Sequence, residues 1–368
     1  MTATIRRIGV LTGGGDAQGM NAAIRSVVKA AVLGHDWNVV GIENGLDGLI
    51  PQPPHTRRLQ LDDVRGVLPR GGTILGSISN GAFTPMLKGE QRNPDLYEAV
   101  ACNVRDLEID ALIVIGGDGT QWIASHLAEF GVRAIGVPKT IDNDLYGCEY
   151  TFGFDTALNV ATRAIDALHT TAESHHRVMI LEVMGREAGW IALHAGIGGG
   201  ADVILIPEIS FCLDAVAAKV RDRDAEGATF SIVVAAEGAQ STENGRQPFY
   251  QPTNGRLGGV GDYVATGVEE RTGKECRVVR LGHLQRGGGP TPFDRILATR
   301  YGAAAVRFLA QGHTGEVVVL QGSKITTIPM TDCAQRLRTV APDDELICTA
   351  RSLGIAFGDE ACPATAAA

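Results

Sequence analysis

Residues Ala111-Leu112-Ile113-Val114-Ile115-Gly116-Gly117-Asp118-Gly119-Thr120 decide how this chain is read. Five consecutive apolar residues running into glycines predict a strand buried on both faces, as in a parallel sheet, that stops at a tight turn. Glycines directly after such a strand let backbone N–H groups approach a phosphate, and the following helix offers its positive end. A second apolar run, Ala134–Val137, continues into Pro138-Lys139-Thr140-Ile141-Asp142-Asn143-Asp144. Read as locally extended, that segment puts Thr140, Asp142 and Asp144 on one face. A phosphate cradle beside paired carboxylates suggests phosphoryl transfer.

The same alternation extends outward in both directions. Ile8–Leu11 predicts a strand, Gly13-Gly14-Gly15-Asp16 breaks it, and Met20 to Leu33 carries apolar residues at helical spacing. With a further strand over Trp37–Ile42 this makes a βαβ unit, so the connection is expected to be right-handed and the sheet parallel. Residues 43–95 read as loop-rich, and a helix near 93–107 leads into the 111–115 strand. A helical segment runs from Asp155 to about Ala172. Further strands are expected over 178–183, 203–206, 232–236, 278–281 and 317–320. The fold class that follows is α/β, with two doubly wound lobes, mainly parallel sheets, and the active site in the cleft between them. The first lobe is expected over 1–150, joined by a returning segment near 285–335. The second spans 151–284, and 336–368 form a C-terminal tail.

Composition excludes several classes. Apolar residues make up 44% of 368, enough for a core, which sets disorder aside. A net charge of -9 without a long basic run argues against a nucleic-acid surface. No apolar run approaches the roughly 20 residues of a membrane helix, and the N-terminus shows no signal-peptide core. Seven dispersed cysteines read as reduced thiols, so a cytoplasmic protein is expected.

Several residues can carry chemistry. Asp118, between Gly117 and Gly119, would repel a phosphate unless a magnesium ion lay between them; the plainer reading is an aspartate bonding its own turn. Asp142 and Asp144 raise each other's pKa unless a cation lies close, a role open to Lys139 or a metal. One of them can accept the proton of a substrate hydroxyl as it attacks a terminal phosphate. Gly13–Gly15 is either a tight turn or an anion nest; it is neither a Walker A loop nor a dinucleotide fingerprint. Arg177 and Arg186 flank the 178–183 strand, while Arg277, Arg280, His283 and Arg286 crowd the 278–281 strand. Single arginines are usually solvated, but several at strand ends among glycines suit a sugar phosphate.

Taken together, these motifs make the chain resemble a phosphofructokinase. The resemblance covers most of residues 6–310 and rests on Gly14-Gly15-Asp16-Ala17-x-Gly19-Met20-Asn21, Arg70-Gly71-Gly72-Thr73-x-Leu75-Gly76-Ser77, the 116–120 and 138–144 segments, Glu182-Val183-Met184-Gly185-Arg186, and Gly282-His283-Leu284-Gln285-Arg286-Gly287-Gly288. It implies a glycolytic enzyme that moves a phosphoryl group from ATP to the 1-hydroxyl of fructose 6-phosphate, with magnesium. By motif position Asp142 is the general base, Asp144 supports it, and Thr140 touches the sugar. Lys139 and Gly14 join the catalytic set, and Asp118 holds the metal. Gly14, Gly117, Gly119 and Thr120 line the donor phosphates. Met184, Gly185, Arg186, Glu237, His283 and Arg286 match sugar-phosphate positions. Arg177 and Arg277 bind the 6-phosphate from a neighbouring subunit, which implies a homo-oligomer, dimer or tetramer. The lobe over 1–150 then binds the donor and that over 151–284 the sugar phosphate.

Two positions disagree about the donor. Pyrophosphate users resemble one another in an aspartate where this chain has Gly119, whereas Lys139 resembles the pyrophosphate type. Ser79 stands where many ATP users carry an arginine. The alternatives are therefore a pyrophosphate-dependent enzyme, or a kinase for another sugar phosphate such as sedoheptulose 7-phosphate. At positions matching the basic effector site of regulated relatives, the chain keeps Arg25 and Lys29 but has His169, Glu226 and Ala228, which implies that ADP or phosphoenolpyruvate control is lost.

Overall fold

Apolar runs too short for a helix, bounded by glycines, become the central strands of two α/β units. The computed structural model describes residues 5–87, 93–250 and 257–360. In chain order it begins with β1 (Arg7–Thr12), α1 (Met20–His35), β2 (Asn38–Ile42), β3 (Thr56–Leu59), α2 (Thr84–Leu87) and α3 (Pro94–Asp106). Then follow β4 (Ala111–Gly116), α4 (Asp118–Leu127), β5 (Ala134–Thr140), β6 (Phe152–Gly153) and α5 (Phe154–His175). The next stretch holds β7 (Val178–Val183), α6 (Trp190–Gly198), β8 (Val203–Leu205), α7 (Leu213–Ala225), β9 (Ser231–Ala236), α8 (Val260–Thr272) and β10 (Cys276–Arg280). The chain finishes with α9 (Pro292–Ala310), β11 (Glu316–Gln321), β12 (Lys324–Pro329), α10 (Met330–Gln335) and α11 (Glu345–Ser352).

One unit comprises the chain up to Thr156 together with Arg286–Arg338. Its strands pair in the order β12-β11-β5-β4-β1-β2-β3, with β6 added to β5. The five-strand run β11-β5-β4-β1-β2 is parallel, and β12 and β3 close its ends antiparallel. The other unit comprises Ala157–Gln285 and the chain from Thr339, around the parallel sheet β10-β7-β9-β8. Every residue of β4, β7 and β9 is buried, as predominantly apolar strands covered on both faces require. Among the described residues no helix is long and apolar enough to cross a membrane.

The structure departs from the sequence reading in three places. The loop-rich stretch 43–95 contains β3, whose Thr-Arg-Arg-Leu sequence has no apolar run to announce it. A final strand, β12, turns back on β11 over Lys324–Pro329 and is half exposed, which suits an edge strand. Of the expected tail, residues 336–338 stay with the first unit, and the described part from Thr339 is integral to the second. Ala356 pairs in parallel with Val203, its N–H donating to Asp202 O at 3.0 Å and its carbonyl accepting from Ile204 N at 2.9 Å.

One buried side chain fastens the strand ends that matter most. The side-chain amide nitrogen of Gln121, Nε2, donates to the carbonyls of Val114 (3.2 Å), Gly116 (3.1 Å) and Val137 (3.3 Å), and so ties β4 to β5. Gln121→Leu strips these buried acceptors of their side-chain donor and should lower the unfolding free energy by about 1–3 kcal/mol. Urea unfolding followed by circular dichroism measures it, and an unchanged midpoint would show that the amide is dispensable.

Candidate active site

The parallel register brings three chain segments to one edge of the larger sheet. Thr12 lies opposite Ile115 and Gly116 opposite Pro138, so β1, β4 and β5 end within a residue or two of each other. Gly13-Gly14-Gly15, Gly117–Thr120 and Thr140–Asp144 leave from those ends. Gly13 N donates to Ile115 O at 2.9 Å, closing the first segment onto the second. The buried Thr120 side chain fills the space beside Gly13, where a Cβ would stand 2.7 Å from Thr120 Cγ2. Gly14 has φ +76°, a conformation that favours glycine, and its carbonyl accepts from Ser77 Oγ at 2.5 Å. Asn21 anchors the same 70–77 stretch through Arg70 O, Gly71 O and Ile74 N. At the start of α4, Gly117 is the N-cap and no side chain caps it, while Asp118 is exposed in the first turn. That is an open helix N-terminus beside a glycine loop, the arrangement that accepts phosphate.

Lys139 lies at the junction of these segments. Its side chain is 3% exposed, and Nζ donates to Gly15 O at 2.5 Å. A Cβ on Gly14 would lie 3.5 Å from the same Nζ. Burial first, then the charge of Arg286, lower its pKa from 10.5 to about 8, against the pull of Asp118, Asp16 and Asp144. The ammonium is therefore held charged at neutral pH at a cost, in a place where an anion would relieve it.

The Thr140–Asp144 segment does converge, but not by extension. Asn143 is in the left-handed region with φ +53°, so the chain turns there, and the expectation of an extended strand face fails at this residue. The Asn143 amide explains why the turn is stable. Its Oδ1 accepts from Thr151 N at 2.9 Å, and its Nδ2 donates to Glu149 O at 3.2 Å. Thr140 Oγ1 accepts from Asp142 N at 3.1 Å and hydrogen-bonds the Asp144 carboxyl. Burial first, then the charges of Asp142 and Asp118, push Asp144 from 3.8 up to about 7. Arg338 clasps the turn from outside, Nη1 donating to Asn143 O at 3.0 Å and its N–H to Asp144 O at 2.7 Å. Sequence reasoning missed Arg338, because a lone arginine near the end of the chain carries no local signal.

The second unit makes its own convergence at the C-terminal ends of its parallel strands. Met184, Gly185 and Arg186 follow β7, Glu237 follows β9, and His283 follows β10. Met184 N donates to Gln285 Oε1 at 2.7 Å, and Glu237 N to Val183 O at 2.8 Å. Gln285 had no assigned role in the sequence, although it sits inside the 282–288 motif. Arg177 and Arg277 are elsewhere. They stand at the N-terminal ends of β7 and β10, where Arg177 Nε meets Glu275 Oε2 at 2.7 Å and Arg277 Nη2 meets Glu275 Oε1. Six strand residues separate that edge from Met184, about 20 Å at strand rise. Arg286 belongs to the first unit, where its Nη1 donates to Asp16 O at 2.8 Å.

The cost of burying the Lys139 charge is measurable. Below pH 8 the lysine is charged in folded and unfolded chains, and the fold carries a penalty of up to about 3 kcal/mol from a shift of this size. Between pH 8 and 10.5 the unfolded chain keeps a proton that the folded chain has lost, so stability rises with pH. Lys139→Met should therefore make the ligand-free protein more stable at pH 7 and flatten that rise, while weakening its binding of pyrophosphate or ATP. Urea unfolding across this pH range, with calorimetric titration of pyrophosphate, checks both signs.

Comparison with known proteins fits this geometry. The phosphofructokinase family model matches residues 7–309. The chain is 55% identical over 360 residues to the ATP-dependent 6-phosphofructokinase of Chloroflexus aurantiacus, covering 98% of this chain and 100% of that one. It is 47% identical to the pyrophosphate–fructose 6-phosphate 1-phosphotransferase of Amycolatopsis methanolica, covering 92% of this chain and 97% of the relative. Among solved structures, Pichia pastoris phosphofructokinase superposes with a TM-score of 0.80 at 31% identity, over 90% of this chain and 35% of the yeast chain. By sequence and by fold, the chain belongs to the phosphofructokinase family.

Proposed function

We propose that the protein transfers the terminal phosphoryl group of ATP to the 1-hydroxyl of fructose 6-phosphate, giving fructose 1,6-bisphosphate and ADP. The observation that carries this reading is the buried Lys139 ammonium, set between a glycine-lined helix N-terminus and the Asp142–Asp144 turn. Such a charge has little use except to meet an anion at the point where donor and acceptor exchange it. Gly14, Gly117, Gly119 and Thr120 line the donor phosphates. Asp142 takes the proton of the 1-hydroxyl as that oxygen attacks. Thr140, engaged with both Asp142 N and the Asp144 carboxyl, fixes the turn that aims it. Met184, Gly185, Arg186, Glu237 and His283 hold the sugar phosphate.

Magnesium fits the residues present. The charges of Asp142 and Asp118 help lift Asp144 to about 7, a repulsion that a divalent cation relieves. Among the described residues no group of three or more His, Cys, Asp or Glu side chains could hold a metal alone. Asp118 would hold the ion together with the donor phosphates, the mode usual for magnesium. Bound there, it neutralises charge on the phosphates. Asp142→Asn should reduce kcat by about a hundred- to ten-thousand-fold, the range of a positioned base, with the KM for ATP little changed.

ATP is favoured as donor by Gly119, which leaves the first turn of α4 without a second carboxylate beside Asp118. The high-identity relative named as ATP-dependent supports the same choice. A pyrophosphate-dependent reaction is the second reading, favoured by Lys139 and by the Amycolatopsis relative. Bisphosphate formation followed in a coupled assay, with ATP or pyrophosphate as the donor, separates them. Turnover with ATP alone supports the first; turnover with pyrophosphate alone would replace it.

Arg177 and Arg277 lie at the strand edge opposite Met184–Arg186, so neither can join the sugar-phosphate residues of its own sheet. Their place is explained if they reach the 6-phosphate of a neighbouring copy in a homo-oligomer. Arg277→Ala and Asp142→Asn proteins, each inactive alone, should then regain activity when dissociated and reassociated together. No recovery in the mixture would refute the shared site.

A further inference from the structure

The loop that follows β7 in the second unit is held at both ends, and the motifs that carry the family resemblance account for only one of them. At its start, Met184 N donates to Gln285 Oε1 at 2.7 Å, and Gly185 O accepts from Gly238 N at 3.0 Å. At its far end Gly189 opens α6, and Gly189 N donates to the Glu208 carboxylate, 3.0 Å from Oε1 and 3.1 Å from Oε2. The approach requires glycine, since a Cβ there would stand 2.4 Å from Ile206 Cβ and 2.9 Å from Glu208 Oε2. Glu208 Oε1 also accepts from Val340 N at 2.8 Å. Val340 belongs to the segment that enters this unit at Thr339, beyond residue 309, where the family match ends. Burial pushes the Glu208 carboxyl above its ordinary value, and the main-chain N–H groups of Val340, Gly189 and Glu208 itself oppose that shift. Among the described residues no lysine or arginine pairs with it. A carboxylate held by main-chain donors alone fixes those donors in return, through charge-assisted bonds stronger than neutral ones.

We infer that Glu208 is a positioning residue for the sugar phosphate, and that the C-terminal segment shares in this role. The Val340 N–H fixes the carboxylate, and the carboxylate fixes the loop that carries Met184, Gly185 and Arg186. Two further observations in the same unit support the assignment. Arg186 and Glu208 line one pocket of about 290 Å³, so the carboxylate stands beside a side chain of the sugar-phosphate group. The C-terminal segment is also docked at both ends of β8. Val340 meets Glu208 three residues past the strand, and Ala356 pairs with Val203 at its start. A segment anchored twice in this way gives the carboxylate a fixed seat. The loop is then ordered before the sugar phosphate arrives, and binding does not bear the cost of ordering it. Glu208 acts through Gly189, without a contact of its own to the sugar.

The inference rests on the proposed sugar-phosphate role of Met184–Arg186, and the following experiment keeps the two separable. Glu208→Ala, Glu208→Gln and Val340→Pro are made in the full chain. Calorimetry gives dissociation constants for fructose 6-phosphate and, independently, for the magnesium complex of the imido analogue of ATP. Hydrogen exchange read by mass spectrometry follows the segment from Met184 to Gly189. Glu208→Ala leaves two main-chain donors without their acceptor, so fructose 6-phosphate should bind about 5- to 100-fold more weakly, with the constant for the ATP analogue within about twofold. Its KM for the sugar phosphate should rise by a larger factor than kcat falls. Glu208→Gln keeps one carbonyl oxygen for both donors and should restore most of the affinity. Val340→Pro removes the N–H that seats the carboxylate and should weaken sugar binding in the same direction by less. Exchange at Gly189 should be faster in Glu208→Ala and Val340→Pro. Glu208→Gln and Val340→Pro carry the test if Glu208→Ala does not fold. Lower urea stability with an unchanged fructose 6-phosphate constant means a scaffolding role alone and overturns the inference, as does equal weakening of both ligands. Failure of the unaltered protein to bind fructose 6-phosphate overturns the proposed reaction instead, and the exchange comparison then decides whether Glu208 and Val340 hold the loop.

Discussion

A parallel sheet sends every strand's C-terminal end to the same edge, and nearly everything chemical in this chain follows from that constraint. Because β1, β4 and β5 are neighbours in matched register, the loop after each one is delivered to the same few ångströms, although the segments lie far apart in sequence. Gln121 secures the arrangement with a single amide spread over carbonyls of two of these strands. The second unit repeats the logic, with Met184, Glu237 and His283 each within three residues of the end of a parallel strand. Where a residue sits at the opposite edge, as Arg177 and Arg277 do, no rotamer change within that sheet can bring it across.

Electrostatics at the larger edge is a balance of unfavourable placements. The chain carries a net charge of -9, yet two of its cations are brought side by side at one loop, next to three aspartates. Lys139 is pulled down towards neutrality by burial and by Arg286, while Asp144 is pushed up by burial and by the aspartates near it. Each is displaced in the direction that a missing counter-charge would correct. Functional sites commonly hold such displaced groups, since the ligand supplies what the fold withholds.

What the sequence disclosed, and what it hid, divide by the range of the interaction. Apolar runs such as Ala111–Ile115 and Val178–Leu181 announce buried strands because both faces are covered, whatever lies beside them. Lys139, Asp142 and Asp144 were legible as chemistry because phosphate cradles and paired carboxylates are local patterns. The edge strands β3 and β12 were not legible, since a half-exposed strand needs only a partner and no apolar run. The left-handed Asn143 was hidden because its conformation is enforced by Thr151 and Glu149, several residues downstream. The contact between Arg286 and Asp16 spans most of the chain, and no spacing rule anticipates it.

The way the chain is divided also shapes how it must be made. The first unit is interrupted after Thr156 and resumes only at Arg286, so a ribosome adds about 130 residues in between. At about 5–20 residues per second that delay is on the order of ten seconds. Throughout it β5 lacks β11, its neighbour on one side, and the nascent sheet presents an unpaired hydrophobic border. An exposed edge of this kind invites pairing with another chain. Synthesis of this protein thus contains an interval in which a sheet with six of its eight strands waits for the last two, and a holding chaperone would find its substrate there.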